Sequence, residues 1–279
     1  MKKIAISLDS ASDLSKELIE KYDFKIIPFG VNLGDKFFYD GEITPEEIFE
    51  YADNNKTLPK TNAVNEESFK EHFAKILNDA IIHFDISSEM SSAYQNAVNA
   101  SKNFKNVYVV DSRTLSTAIS LEAIYAKNLT ETMDDPAKIV ELVKKRIPAV
   151  QASFIIERLD YLYKGGRCSG LALLGANLLK IRPEIEVLNG NMKNTEKFRG
   201  KMADCVTKYC RATLEKYNHP DKSVIFITHS VADKELVDAA KAVVSEYGFE
   251  NVYETTAGCT VSSHCGKNTL GILYINDAE

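Results

Sequence analysis

Short apolar runs alternate with longer mixed segments along the first half of the chain, the pattern of strands separated by helices. Lys3 to Asp9 reads as a strand, and Ser12 or Asp13 caps a helix that runs through Tyr22. Phe24 to Leu33 is extended, with Pro28 suggesting a sheet edge or a strand end. Gly34-Asp35 and Asp40-Gly41 mark turns around Lys36 to Tyr39. Thr44-Pro45-Glu46-Glu47 supplies an N-cap, a first-turn proline and a capping-box glutamate, and its helix runs to about Asn54. Thr57 to Asn62 reads as loop and Glu66 to Asn78 as helix. Strands follow at Ala80 to Ile86 and Val107 to Val110, with helices Tyr94 to Phe104 and Leu115 to Leu129. Such strands pair in parallel, and sheets of this kind hold ligands at the carboxyl ends of their strands.

From Asp135-Pro136, which opens another helix, the texture changes. Ser153 to Glu157 is a short strand, Arg158 to Lys164 a short helix, and Gly165-Gly166-Arg167 a sharp turn. Leu171 to Leu179 is an apolar helix. Glu184 to Lys197 is a hairpin turned by Asn189-Gly190, the dipeptide of a type I′ turn. A helix from Lys201 to Tyr217, a strand Ser223 to Thr228, a helix Asp233 to Tyr247 and strands near Val252 and Ile272 complete a second α/β unit. The expectation is two α/β domains, residues 1–152 and 153–279, each a mostly parallel sheet flanked by helices. No internal repeat, low-complexity tract or long linker interrupts them.

The stretch from Ala80 to Ala97 carries the densest candidate chemistry. A buried strand opens into Ser87, Ser88, Ser91 and Ser92 and then a helix. Unpaired N–H groups, hydroxyls and the positive end of a helix dipole meet there, which is a place to hold an anion. Helix capping accounts for the same serines, and the pattern leaves both readings open. Asp9-Ser10 and Asp111-Ser112 also fall at strand ends, where they either converge on that spot or cap helices.

Composition narrows the partners. The 279 residues, 44% hydrophobic and 27% charged, suit a soluble globular chain with a sizeable core. Lys and Arg number 34 against 40 Asp and Glu, a net charge of −6, so no general basic field invites nucleic acid or an anionic membrane. Asp9 cuts the apolar run after Lys2-Lys3, too short for a signal segment, and no stretch spans a bilayer, so the chain reads as cytoplasmic. The five cysteines (Cys168, Cys205, Cys210, Cys259, Cys265) contain no CxxC and read as reduced thiols. Cys259, His264 and Cys265 match no standard metal spacing.

Motif searches exclude several activities. There is no GxGxxG after a strand and no GxSxG elbow. Gly266-Lys267-Asn268-Thr269 mimics the end of a P-loop, but Val261 stands where its first glycine belongs. A hydrolase with Ser91 or Ser92 as nucleophile and His264 as base is one alternative, and a module for another small anion is a second.

Taken in order, the motifs resemble the DegV family. Leu8-Asp9-Ser10-Ala11-Ser12-Asp13-Leu14 is similar to its TDSxxDL opening, Leu58-Pro59-Lys60-Thr61 to its LPKTS segment, and Ile86 to Gln95 to its ISSxLSGTYQ. Val110-Asp111-Ser112 resembles VDS, Tyr161 to Arg167 YLxxGGR, and Leu178 to Pro183 LLxIKP. Phe198-Arg199-Gly200 and Ser263-His264-Cys265-Gly266 resemble the later RG and HTG elements. The chain departs from the family at Ser91-Ser92-Ala93 for SGT, at Asn62 ending PKTS, and at His264-Cys265-Gly266-Lys267-Asn268 for HTGPG.

The resemblance implies a fatty-acid-binding protein that is not itself a catalyst, with an acyl chain in a tunnel and no cofactor. Thr61, Ser91, Ser92 and His264 would hold the carboxylate. Arg167 and Arg199 would handle phosphate or dock a separate fatty acid kinase, although an arginine after Gly-Gly equally ties down its own turn. Leu171, Leu174, Leu178 and Leu179 would line the tunnel, a role that ordinary core packing also explains. Peripheral membrane contact for lipid exchange belongs to the same picture.

Overall fold

The computed structural model describes residues 2–169 and 181–278. In chain order the first half holds β1 (Ile4–Asp9), α1 (Lys16–Tyr22), β2 (Lys25–Ile27), β3 (Gly30–Leu33), β4 (Lys36–Tyr39) and α2 (Pro45–Asn55). It continues with β5 (Lys60–Asn62), α3 (Glu66–Lys75), β6 (Ala80–Asp85), α4 (Ala93–Ser101), β7 (Val107–Asp111), α5 (Thr117–Leu129) and α6 (Pro136–Arg146). The second half holds β8 (Val150–Ile155), α7 (Leu159–Gly165), β9 (Cys168–Ser169), β10 (Ile181–Leu188), β11 (Asn191–Arg199) and α8 (Met202–Lys216). It ends with β12 (Val224–Ser230), α9 (Lys234–Val244), β13 (Asn251–Thr256), α10 (Cys259–Cys265) and β14 (Thr269–Ile275). The apolar helix expected over Leu171 to Leu179, with the tunnel candidates Leu171, Leu174, Leu178 and Leu179, lies outside the described residues.

The α/β class holds. One sheet is wholly parallel, in the order β2-β1-β6-β7, and β1 and β6 are buried at every position, as strands covered on both faces are. The second sheet, β13-β12-β14-β8-β10-β11-β9, is mixed rather than mostly parallel. β10 and β11 form a hairpin, and β14 inserts between β8 and β12, antiparallel to both. A third, antiparallel sheet, β4-β3-β5, stands beside them. Its strand β5 covers part of the expected Thr57 to Asn62 loop, since three residues are too few to show alternation. Phe24 to Leu33 is likewise two strands in two sheets. They break at Pro28, and the next N–H, of Phe29, turns to Ser10 Oγ at 3.0 Å.

Helix caps follow side-chain chemistry. Thr44 and Glu47 make the capping box of α2. The cap of α1 is Ser15, because Asp9 takes the Ala11 N–H and folds Ser10–Ser12 into a 3-10 turn closed by Asp13 at φ 53°. α5 lies between the two large sheets. Its apolar residues join Ile6, Leu8 and Phe84 of one sheet to Phe226 and Leu273 of the other in a single core.

Candidate functional site

The carboxyl ends of β1, β6 and β7 converge through their aspartates. Asp9 accepts the Ile86 N–H at 2.7 Å, and Asp111 accepts the Ser88 N–H at 3.1 Å and its hydroxyl at 2.6 Å. These bonds fix the loop from Ile86 to Ser92. Burial, with Asp85 nearby, pushes the Asp9 carboxyl well above the usual carboxylate range.

The four serines of that loop have different fates. Ser87 Oγ donates to Gly190 O at 2.8 Å, and Ser88 is spent on Asp111. Ser91 Oγ accepts the Ala93 N–H at 3.2 Å, and Ser92, the residue before α4, makes no side-chain cap bond. Ser91 and Ser92 line a cavity of about 450 Å³. Its apolar wall includes Phe29, Ile86, Met90, Leu115, Met192 and Val261, and its polar lining includes Thr61, Arg167 and His264.

Thr61 is brought there by strand alternation. It pairs with the buried Val31 in the small sheet and shares its inward face, whereas Lys60 and Asn62 face out. Its Oγ1 meets His264 Nε2 at 2.7 Å. His264 sits on α10, a short helix held at its start by two aspartates. Asp40 accepts the N–H groups of Cys259 and Thr260 at 2.8 and 3.1 Å, and Asp13 accepts that of Gly258 at 2.7 Å. The hold of both aspartates on α10 escapes sequence reasoning, because their partners lie more than 200 positions away. Locally, Asp40 shows only as a turn signal before Gly41 and Asp13 only as an N-cap candidate.

The Gly165-Gly166 pair explains itself on the His264 ring. A Cβ on Gly165 would lie 2.5 Å from His264 Nδ1, and Gly166 takes the left-handed backbone, φ 69°, that ends α7. Burial, with the Arg167 guanidinium nearby, lowers His264 to about 4, so the ring is neutral at pH 7. Among the described residues its buried Nδ1 has no hydrogen-bond partner. A base poised for Ser91 or Ser92 needs one ring nitrogen on the serine and an orienting acceptor on the other, whereas Nε2 meets Thr61 and, among the described residues, Nδ1 meets no partner. Cys265 also lines the cavity, but burial pushes its thiol up to about 12, out of the nucleophilic range.

Arg167 does two things at once. It lines the cavity, and its Nη1 donates to Gly165 O at 2.7 Å, tying the turn. Arg199 ends β11, is exposed, and does not line the cavity. Among the described residues no three His, Cys, Asp or Glu side chains are grouped to hold a metal, and no helix is long and apolar enough to cross a membrane.

Comparison with known proteins decides the family. The family model described as an uncharacterised protein, DegV family, matches residues 3–277. The chain belongs to the DegV family. A DegV domain-containing protein of Clostridium acetobutylicum is 30% identical over 281 residues, covering 99% of each chain. A fatty acid-binding protein of Thermotoga maritima is 31% identical over 285 residues, covering 96% of each. The crystal structure of a DegV lipid-binding protein from Thermotoga maritima superposes with a TM-score of 0.85 at 28% identity, covering 99% of this chain and 100% of that one.

Proposed function

We propose that this DegV protein binds a long-chain fatty acid, with the carboxylate at Thr61, Ser91, Ser92 and His264 and the acyl chain along the apolar wall of the same cavity. The observation that carries the reading is the cavity's mixed lining, hydroxyls and an imidazole together with the apolar Phe29, Ile86, Met90, Leu115, Met192 and Val261. A fatty-acid-binding relative at 31% identity supports it. Ser92, whose hydroxyl caps nothing, is available for a carboxylate oxygen at the start of α4. The neutral His264 serves the polar cluster through its Nε2, which holds the Thr61 hydroxyl without adding a charge. Each buried CH₂ contributes about 0.8 kcal/mol, so the tail sets affinity and the polar end sets orientation.

The role is that of a non-catalytic, cofactor-free carrier in the cytoplasm that presents its ligand to a separate fatty acid kinase. Arg167 at the polar end and the exposed Arg199 are the candidates for phosphate handling or kinase docking. Ligand exchange by peripheral membrane contact belongs to the proposal. In the division at 152/153, residues 1–152 carry Thr61, Ser91 and Ser92, while residues 153–279 supply His264 and cover the chain. Native mass spectrometry of freshly purified protein tests this. A co-purified mass of a long-chain fatty acid is expected, and protein that stays ligand-free after incubation with fatty acids would overturn it.

A further inference from the structure

The β10–β11 hairpin is tied to its own sheet along both strands and to the other half of the molecule at its tip. β10 pairs with β8 over Glu184 to Glu186, and β11 takes a short parallel partner in β9 at Met192 and Lys193. Beyond these rungs the turn Asn189-Gly190 lands on the serine loop. Ser87 Oγ donates to Gly190 O at 2.8 Å, and Arg113 Nη2 donates to the Asn189 carbonyl. The other arm of the same guanidinium, Nη1, reaches Glu89 at 3.1 Å and Ser88 Oγ at 3.2 Å. One side chain therefore joins the hairpin tip to the loop that carries Ser91 and Ser92.

Three further features mark this contact as built. Arg113 occupies left-handed backbone, φ 56°, and its N–H donates to Asp111 at 3.0 Å, which aims the side chain at the tip. A Cβ on Gly190 would meet Ser87 Oγ at 2.7 Å and Arg113 Cζ at 2.8 Å, so the tip is seated against both partners. Met192, two positions past the turn, is buried and forms part of the cavity wall. A tip that lifts pulls on the rung between Met192 and Cys168 and so loosens the cavity wall there.

We propose that the Asn189-Gly190 tip is a latch on the cavity, positioned by Arg113, and that its release sets how fast the ligand enters and leaves. This rests on the fatty-acid reading above. A latch differs from a ligand contact in its kinetics. Opening a closed state more often speeds entry and exit together and leaves the equilibrium constant nearly unchanged, whereas losing a contact speeds exit alone.

Stopped-flow fluorescence with cis-parinaric acid on the full chain tests it. Arg113→Ala should raise the association and dissociation rate constants together by about tenfold, the scale of one lost charge-assisted hydrogen bond, with Kd shifted much less. Arg113→Lys keeps the charge without the fork and should give a smaller rise in the same direction. Should Arg113→Ala not fold, Ser87→Ala removes the other tip bond and carries the same expectation. Amide exchange at Leu188 to Met192 should also quicken in the variants. Rates equal to wild type in folded variants overturn the latch alone, as does weaker binding with unchanged association. Wild-type protein that takes up no probe overturns the fatty-acid reading and the latch with it.

Discussion

Gly165→Ala separates the two tasks of the Gly165-Gly166 pair. Gly165 is the last residue of α7 and lies outside the left-handed region, so alanine alone should favour the helix by about 0.5–1 kcal/mol. The new Cβ would stand 2.5 Å from His264 Nδ1. Restoring ordinary contact, about 3.5 Å, moves the ring by roughly 1 Å. The 2.7 Å bond to Thr61 does not survive such a shift, at a cost of about 0.5–1.5 kcal/mol, and overpacking adds about 1–3 kcal/mol. The clash therefore outweighs the helix gain, and urea unfolding should show a net loss of about 1–3 kcal/mol. Titration calorimetry with a long-chain fatty acid should show affinity falling about tenfold, as one displaced polar contact implies. Gly166→Ala is the control. Its Cβ meets nothing within 4 Å, but φ 69° strains it, so it should cost about 1–2 kcal/mol of stability and leave affinity unchanged. Wild-type affinity in Gly165→Ala, with the His264 ring resonances unmoved, would refute the packing of His264 on Gly165.

Other substitutions probe the rest of the site. Thr61→Val keeps the shape but strips His264 Nε2 of its partner, and a fluorescent fatty-acid displacement assay should report affinity lower by about fivefold or more. Ser92→Ala should weaken binding while leaving the melting temperature in place, because its hydroxyl caps nothing. Ser91→Ala should lower both, since it also releases the Ala93 N–H. Asp40→Ala frees two N–H groups at the start of α10 and should cost about 1–2 kcal/mol in a denaturant melt, with weaker ligand binding as His264 loses its footing. His264, at about 4 when folded against 6.5 unfolded, binds its proton more readily in the unfolded chain. Its contribution is thus present above pH 6.5 and lost as pH falls toward 4, on the order of 3 kcal/mol in all. Unfolding free energies of wild type minus His264→Gln should shrink across that window, and a difference curve that is flat there contradicts the burial of the ring.

What the sequence could and could not reveal follows from the range of each interaction. Thr44 with Glu47, and Asn189 with Gly190, are local devices, and both elements stand where the pattern put them. Thr61 reads as loop in the sequence because β5 is only three residues long and gains its strand character from β3. The mixed order of the second sheet depends on β14 sliding between β8 and β12, a choice made by packing and not by periodicity. The serine cluster shows the limit most clearly. Ser87, Ser88, Ser91 and Ser92 are alike in sequence, yet Gly190 and Asp111 claim the first two, while the second two face the cavity.

The position of α5 has a thermodynamic consequence. Nine of its thirteen residues are buried, and its first turn is pinned to both halves, Thr117 to Thr228 Oγ1 at 2.6 Å and Ser120 to Ser12 O at 2.8 Å. Neither large sheet can shed its neighbour without wetting this helix and the core it shares. Heating should therefore melt the chain in one cooperative transition, with calorimetric and van't Hoff enthalpies in agreement. A fragment that keeps α5 but lacks β12 and β14 would expose one apolar flank of the helix and should self-associate.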